Sequence, residues 1–207
     1  MESGKLIAFE GLDKSGKSTQ AEMLSSYFRS KNISHKVVRF PCRTIETGKI
    51  LDRYLKGQLP ELENNIEATH LLFAANRWEL VETIKQWLNE GIHVILDRYS
   101  ISGIVYSISK KIHMRGCCTN TFRDWVQKSE IGLPKPSILF YIDIEPQESV
   151  RRTGSCVDGV EIYEHLEFQR IVAAEYKLML PYDVFKVSGM LSPEDIHDTI
   201  ISHVTSK

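Results

Sequence analysis

Neither sign of charge is in excess in this 207-residue chain, where 26 Lys and Arg stand against 27 Asp and Glu for a formal net charge of −1. A protein whose main partner is a nucleic acid backbone normally carries a clear surplus of Lys and Arg, so a polymeric nucleic acid partner is excluded while a local basic pocket is not. Cysteine is scarce. Cys42, Cys117, Cys118 and Cys156 show no C-x-x-C spacing, and the adjacent Cys117 and Cys118 suit neither a mutual disulfide nor one zinc site, so a reducing compartment, cytosol or nucleus, is expected. Long hydrophobic runs are missing too: nothing approaches the roughly 18 consecutive apolar residues of a membrane span. The N-terminus runs into Lys5-Leu-Ile-Ala-Phe9 without a signal-peptide pattern. Internal repeats and low-complexity linkers are also absent, with only short Gly/Pro punctuation at 57–60, 132–136 and 154–159.

What is present is the composition of an ordinary globular protein, 42% apolar and 26% charged, and the length suits one domain spanning 1–207. The apolar runs 6–9, 37–40, 92–96 and 138–142 are short, rich in branched or aromatic residues, and separated by helical stretches; a weaker fifth strand is expected near 184–187. Helices are expected over 16–31, 64–90 with a break near Asn76, 119–130, 161–180 and 193–204. This alternation means an α/β fold, a five-stranded parallel sheet flanked by helices, with its all-apolar strands buried on both faces.

Gly11-Leu-Asp-Lys-Ser-Gly16-Lys17-Ser18 fits G-x-x-x-x-G-K-[ST] and stands after an apolar strand and before a helix, where the mechanism of a phosphate loop needs it. Glycines let backbone N–H groups curl around phosphate oxygens, the helix N-terminus adds positive potential, and Lys17 reaches the β- and γ-phosphates. The Ser18 hydroxyl can bind Mg²⁺. The ATP-binding candidates are therefore Gly11, Leu12, Asp13, Lys14, Ser15, Gly16, Lys17, Ser18 and Thr19. Neither an N-K-x-D guanine-reading motif nor a D-x-x-G switch accompanies the loop, and the chain is short for a motor.

In the helical stretch around Phe73-Ala-Ala-Asn-Arg77, a rotation of about 100° per residue puts Arg77 roughly 40° from Phe73 and Leu71, Ala75 and Trp78 on the opposite side. The ordinary core stripe is then Leu71, Ala75 and Trp78. Phe73 and Arg77 on one face suit stacking on a base and holding a phosphate; they equally suit a helix buried all round, with Phe73 as core and Arg77 paired to an acid. The strand 92–96 ends in Asp97-Arg98-Tyr99, and ligands of open parallel sheets bind beyond the carboxyl ends of strands. Asp97 looks like a Walker B acid holding Mg²⁺ through water, and Arg98 could contact transferring phosphates; a structural Asp-Arg pair is the alternative. Phe40-Pro-Cys-Arg43 ends another strand and brings Arg43 to the same edge, or forms a surface turn. Arg151 and Arg152 precede a glycine-hinged loop, giving either a lid over about 151–160 or simply solvated arginines.

Taken together, Phe9-Glu-Gly-Leu-Asp13-Lys-Ser-Gly-Lys-Ser-Thr-Gln20, Phe40-Pro-Cys-Arg43, Leu71 through Glu79, Asp97-Arg-Tyr99, Ser102-Gly103, Gly132-Leu-Pro-Lys-Pro136 and Glu161-Ile-Tyr-Glu164 resemble the thymidylate kinase family of eukaryotic type, over residues 5 to about 180. The resemblance implies a P-loop kinase fold with a short lid, phosphoryl transfer from ATP with Mg²⁺ to dTMP, and a homodimer. It implies that Asp13 binds the acceptor's sugar hydroxyl, that Arg43 and Arg98 hold its phosphate, and that Phe73 stacks on thymine while Arg77 reads the base edge. By the same resemblance Phe40 and Gly103 belong to the dTMP pocket, Tyr106 packs under the sugar and excludes a 2′-hydroxyl, and Tyr163 and Gln169 lie near base and sugar.

The chain departs from the family in three places. Lys14 stands where the eukaryotic type usually has Arg, while Arg151 and Arg152 stand where the bacterial type carries its lid Arg, so transition-state charge falls to Lys14, to a lid arginine, or to both. The segment 107–120 is longer and different, which would alter the pocket rim or a lid contact. Ser137 replaces a common Asp and receives no role. The catalytic set is thus Asp13, Lys14, Lys17, Arg98, Arg151 and Arg152, with Ser18 and Asp97 for the metal. A kinase for dUMP, dGMP or thymidine and an inactive nucleotide-binding regulator remain the alternatives.

Overall fold

The computed structural model describes residues 3–154, 163 and 165–206. Strands β1 (Leu6–Glu10), β2 (His35–Arg39), β3 (His93–Asp97), β4 (Ile138–Asp143) and β5 (Phe185–Ser188) form one all-parallel sheet in the order β2-β3-β1-β4-β5. The helices are α1 (Lys17–Ser30), α2 (Glu46–Leu55), α3 (Pro60–Glu63), α4 (Ile66–Glu79), α5 (Val81–Asn89), α6 (Ser100–Arg115), α7 (Asn120–Lys128), α8 (Pro146–Thr153), α9 (Leu166–Met179) and α10 (Pro193–Thr205). Strand β1 is buried at every position, as a central strand covered on both faces must be, while the edge strands β2 and β5 bury few residues. One face packs Ile7, Phe9 and Phe140 under α1 and α10, with the Phe9 and Phe140 rings stacked at 5.3 Å; burying each such ring contributes about 1.5–3 kcal/mol. The other packs Leu6, Ala8 and Leu96 under α5. Register then matters for function: Phe9 and Arg39 both pair with Asp97, so the loops after β1, β2 and β3 open at one sheet edge.

Several expectations are corrected. The long helix 64–90 breaks at Leu80 rather than at Asn76, whose buried amide instead bonds the Cys42 backbone and the Thr47 hydroxyl. The expected core stripe of α4 is its outer face: Leu71 is 51% and Trp78 37% exposed, whereas Thr69, His70, Ala74, Asn76 and Arg77 are buried. The inner face is buried against α6 and α2 through paired polar groups, so hydrophobicity points the wrong way there. Helix α6 lies where no helix was expected, its Ser-rich run masking Ile101, Val105, Ile108 and Ile112 at helical spacing. Part of the divergent segment 107–120 is therefore the C-terminal half of α6. Of the expected lid, 155–160 lies outside the described residues, as do 161, 162 and 164.

Candidate active site

The loop between β1 and α1 is shaped by glycine where a side chain cannot fit. Gly11 has φ 145°, and a Cβ there would lie 2.5 Å from the Ile142 carbonyl oxygen. Gly16 caps α1 in the left-handed region, and Lys14 also has a positive φ of 56°. The Lys17 ammonium donates to the Leu12 carbonyl and to Ser15 Oγ at 3.2 Å, while the Leu12 side chain packs into the core, leaving only its backbone for a ligand. Burial, aided by the Arg98 guanidinium, lowers the Lys17 pKa to about 7. Ser18 Oγ donates to Asp97 Oδ2 at 2.5 Å, and Thr19 lies beside it in the first helical turn. A hydroxyl and a buried carboxylate side by side, next to a phosphate loop, fit a Mg²⁺ ion that keeps waters and takes phosphate oxygens. Among the described residues no cluster of three His, Cys, Asp or Glu offers a dedicated metal cage.

Within this loop, Asp13 is a hub. It accepts from Arg98 Nη2, from the Tyr106 hydroxyl at 2.9 Å and from Gln169 Nε2 at 2.8 Å. Burial raises its pKa, but Arg98, Lys17, Tyr106 and Gln169 outweigh that and hold the carboxyl below the ordinary value, so it is ionised at neutral pH. Arg98 adopts φ 67°, a left-handed conformation costly for a long side chain, and this turns its guanidinium back over the loop to the Gly11 carbonyl (3.1 Å) and Ser102 Oγ (3.2 Å). The N-terminus of α6 is held by buried Glu10, which accepts from Tyr99 N (2.9 Å), Ser102 N (3.1 Å), Ser102 Oγ (2.5 Å) and Tyr176 OH (3.0 Å). That carboxylate on a helix N-terminus fixes where Gly103 and Tyr106 project.

A concave pocket opens from Asp13 and Arg98 between α2, α4 and α6, and it brings together Phe40, Arg43, Phe73, Arg77, Gly103, Tyr106 and Tyr163. Phe40 is buried against Tyr99, and the Phe40–Pro41 peptide is cis. Arg43 Nη1 is 2.7 Å from Asp52 Oδ1. Phe73 packs edge-on to Tyr54, and Tyr163 stacks on Phe168 at 5.1 Å and hydrogen-bonds the Tyr54 hydroxyl at 2.6 Å. Gln169, outside the lining, donates to both Asp13 and the Tyr163 carbonyl. Arg77 is paired to an acid, Glu130, and it also lines the pocket. A second, wider cleft joins Lys14, Lys17, Ser18, Asp97 and Arg152 and shares Asp13, Arg39, Pro41, Arg43 and Arg98 with the first.

The two arginines at the end of α8 part company. Arg152 Nη1 donates to the Lys14 carbonyl at 3.2 Å and Nη2 to the Gly189 carbonyl at 2.9 Å, placing it against the phosphate loop. Arg151 is 71% exposed in its side chain and forks onto Glu148 on the helix surface. Arg152 Nε also donates to Glu148, at 2.6 Å, and the bonds from Arg151 and Arg152 together lower the Glu148 pKa to about 2. Ser149 Oγ, 2.7 Å from the Asp13 carbonyl, ties α8 to the same loop.

Sequence reasoning passed over Glu10, Arg39, Lys110 and Glu130. Glu10 and Arg39 each stand at a strand end beside a residue that was recognised, which is the signal they offered. Lys110 lines the pocket and reaches the Tyr54 hydroxyl at 2.6 Å; nothing in its sequence marks it, because α6 was not foreseen. Glu130 sits two residues before the Gly132-Leu-Pro-Lys-Pro136 motif, yet its partner lies 53 positions away.

A family model described as thymidylate kinase matches residues 9–200. Thymidylate kinase of Plasmodium falciparum is 38% identical, the match covering 98% of this chain and 90% of that one, and that of Schizosaccharomyces pombe is 32% identical with 98% and 92% covered. A solved structure of thymidylate kinase from Candida albicans superimposes with a TM-score of 0.81 at 30% identity, covering 99% of this chain and 92% of that one. With a phosphate loop, a Ser–Asp pair beside it and an aromatic pocket opening from Asp13 and Arg98, the chain belongs to the thymidylate kinase family.

Proposed function

We propose that the protein transfers the γ-phosphoryl group of ATP to dTMP, giving ADP and dTDP, by in-line displacement within a single kinase domain. The observation that carries the reading is the shared wall of Asp13, Arg43 and Arg98 between the loop cleft and the aromatic pocket, which would bring two anionic ligands end to end. No covalent intermediate is needed: catalysis is positioning plus charge neutralisation. In this reading the backbone of residues 11–19 and Lys17 hold the ATP phosphates, and Ser18 and Asp97 would hold Mg²⁺, which would supply charge neutralisation to the phosphates. Arg43 and Arg98 hold the acceptor phosphate, and ionised Asp13 orients the sugar. Phe73 stacks on the base, Arg77 contacts its edge, and Tyr106 backs the sugar with Phe40, Gly103, Tyr163 and Gln169 around it. Of the three cations left open for the transition state, Lys14 and Arg152 are favoured over Arg151 because Arg152 touches the loop through Lys14 while Arg151 faces outward.

A homodimer is part of this reading; Leu71 and Trp78 on one face of α4 are exposed, and Trp78 donates to the Ser129 carbonyl at 2.8 Å, two residues before the exposed Ile131. The cytosol or nucleus, expected from the cysteine pattern of the sequence, is also part of this reading; among the described residues no helix is long and apolar enough to cross a membrane. The test is ADP release with ATP and dTMP: release requires both Mg²⁺ and dTMP, and EDTA abolishes it. Arg77→Ala weakens dTMP binding by about 10- to 100-fold, the worth of a hydrogen bond from a charged group, and leaves ATP binding within about threefold in calorimetric titration. Equal losses for both ligands would make Arg77 a structural residue.

A further inference from the structure

We infer that Glu130 is a positioning residue for choice of the acceptor base: with Gly103 it holds the Arg77 guanidinium so that one edge alone faces the pocket. The inference rests on the reading that Arg77 contacts the base edge. Arg77 Nε donates to Glu130 Oε2 at 2.7 Å and Nη2 donates to Oε1, a two-point fork between side chains only 3% and 5% exposed. That consumes one edge of the guanidinium. Nη1 has no hydrogen-bond partner among the described residues, although Arg77 lines the pocket. On the other side α6 presents Gly103, where a Cβ would fall 2.3 Å from Nη2 and 2.8 Å from Nη1. The missing side chain is the slot in which the guanidinium lies.

The chemistry of the two bases turns this geometry into selection. A guanidinium only donates. Thymine offers the O4 acceptor, whereas 5-methylcytosine, of nearly the same shape, offers an amino group that also donates. A fixed Nη1 therefore accepts the first and leaves the second facing donor to donor, but an arginine free to swing aside would lose that distinction. Glu130 does not touch the ligand; it removes the freedom.

The test is the ratio of kcat/KM for dTMP to that for 5-methyl-dCMP, measured within each variant so that any unfolded fraction cancels. In Glu130→Gln the ratio falls by at least about tenfold, the share of one charge-assisted hydrogen bond, with the loss mainly in KM for dTMP. Because Glu130→Gln leaves a buried unpaired cation and can unfold the chain, Glu130→Asp and Gly103→Ala serve as second probes: one draws the guanidinium back by a methylene, the other pushes it out of its slot. Both lower the ratio. Glu175→Gln breaks a similar pair with Arg123, at 2.5 Å between α7 and α9, and leaves the ratio unchanged, which a merely destabilising effect also predicts of Glu130. A ratio lost in Arg77→Ala but kept in the Glu130 and Gly103 variants would overturn the positioning role. A ratio kept in Arg77→Ala would instead remove the reading beneath it.

Discussion

At the residue scale two lysines, Lys17 and Lys110, have an ionisation set chiefly by burial. Lys17 is the sharpest case. With its pKa lowered to about 7, it carries its charge below that pH and loses it above. The value for kcat/KM reports the free enzyme, so with MgATP varied it falls as pH rises from 7 to 9; kcat, measured with the triphosphate's charge beside Nζ, stays level over the same range. Lys17→Ala loses about 10²- to 10³-fold in kcat and the alkaline limb together, while dTMP binding survives. A flat kcat/KM profile would refute the placement of Lys17 against the ATP phosphates. Lys110, lowered by burial to about 8, lines the acceptor pocket and titrates in the dTMP profile instead. The loop residues could be read from the sequence because their chemistry is local: glycine, lysine and serine at fixed spacing. Glu130 and Glu10 could not, since each acts through partners 53 or more positions away.

Among elements, the decisive pair is α4 and α6, which enclose the acceptor pocket. They are joined by His70, whose Nδ1 meets Ser107 Oγ and whose Nε2 meets Ser129 Oγ, both at 2.7 Å. Burial lowers His70 to about 4, against Glu130, which raises it, and with Arg77, which lowers it further. The unfolded chain takes up a proton below about 6.5 that the folded chain refuses until about 4, so stability contributed by neutral His70 is full above the upper value and lost as pH falls through that window. Between pH 7 and pH 5 this amounts to about 2 kcal/mol in urea unfolding. His93 and His197, also lowered by burial, add in the same sense, so the check is the difference from His70→Gln, which has a smaller pH slope. Equal slopes would mean that His70 is not buried neutral. The sheet was legible because central strands are apolar at every position, whereas α4 and α6 were not: their buried residues include His70, Asn76, Arg77 and Ser107, with His70 bonded to Ser107 and the others to Thr47 and Glu130 on neighbouring segments. Hydrophobic periodicity placed Leu71 and Trp78 inside for the same reason that it overlooked α6.

For the whole molecule, near-neutrality is an average over an uneven surface. Strand register sends the ends of β1, β2 and β3 to one edge, where Lys17, Arg39, Arg43, Arg98 and Arg152 border two adjoining clefts with Asp13 and Asp97 between them. Such a site suits two small phosphorylated ligands rather than a polyanion, and a pocket that ends in Arg98 beside Asp13 suits an acceptor that already carries a phosphate. The most direct measurement is therefore an acceptor panel of dTMP, dUMP, dGMP, dCMP and thymidine with ATP and Mg²⁺, read as kcat/KM for each. The account predicts that dTMP leads and that thymidine, lacking the phosphate for Arg43 and Arg98, falls behind by at least about 10²-fold, the loss of two charge-assisted contacts. Thymidine phosphorylated better than dTMP, or ATP bound with no dTMP-dependent release of ADP, would contradict it.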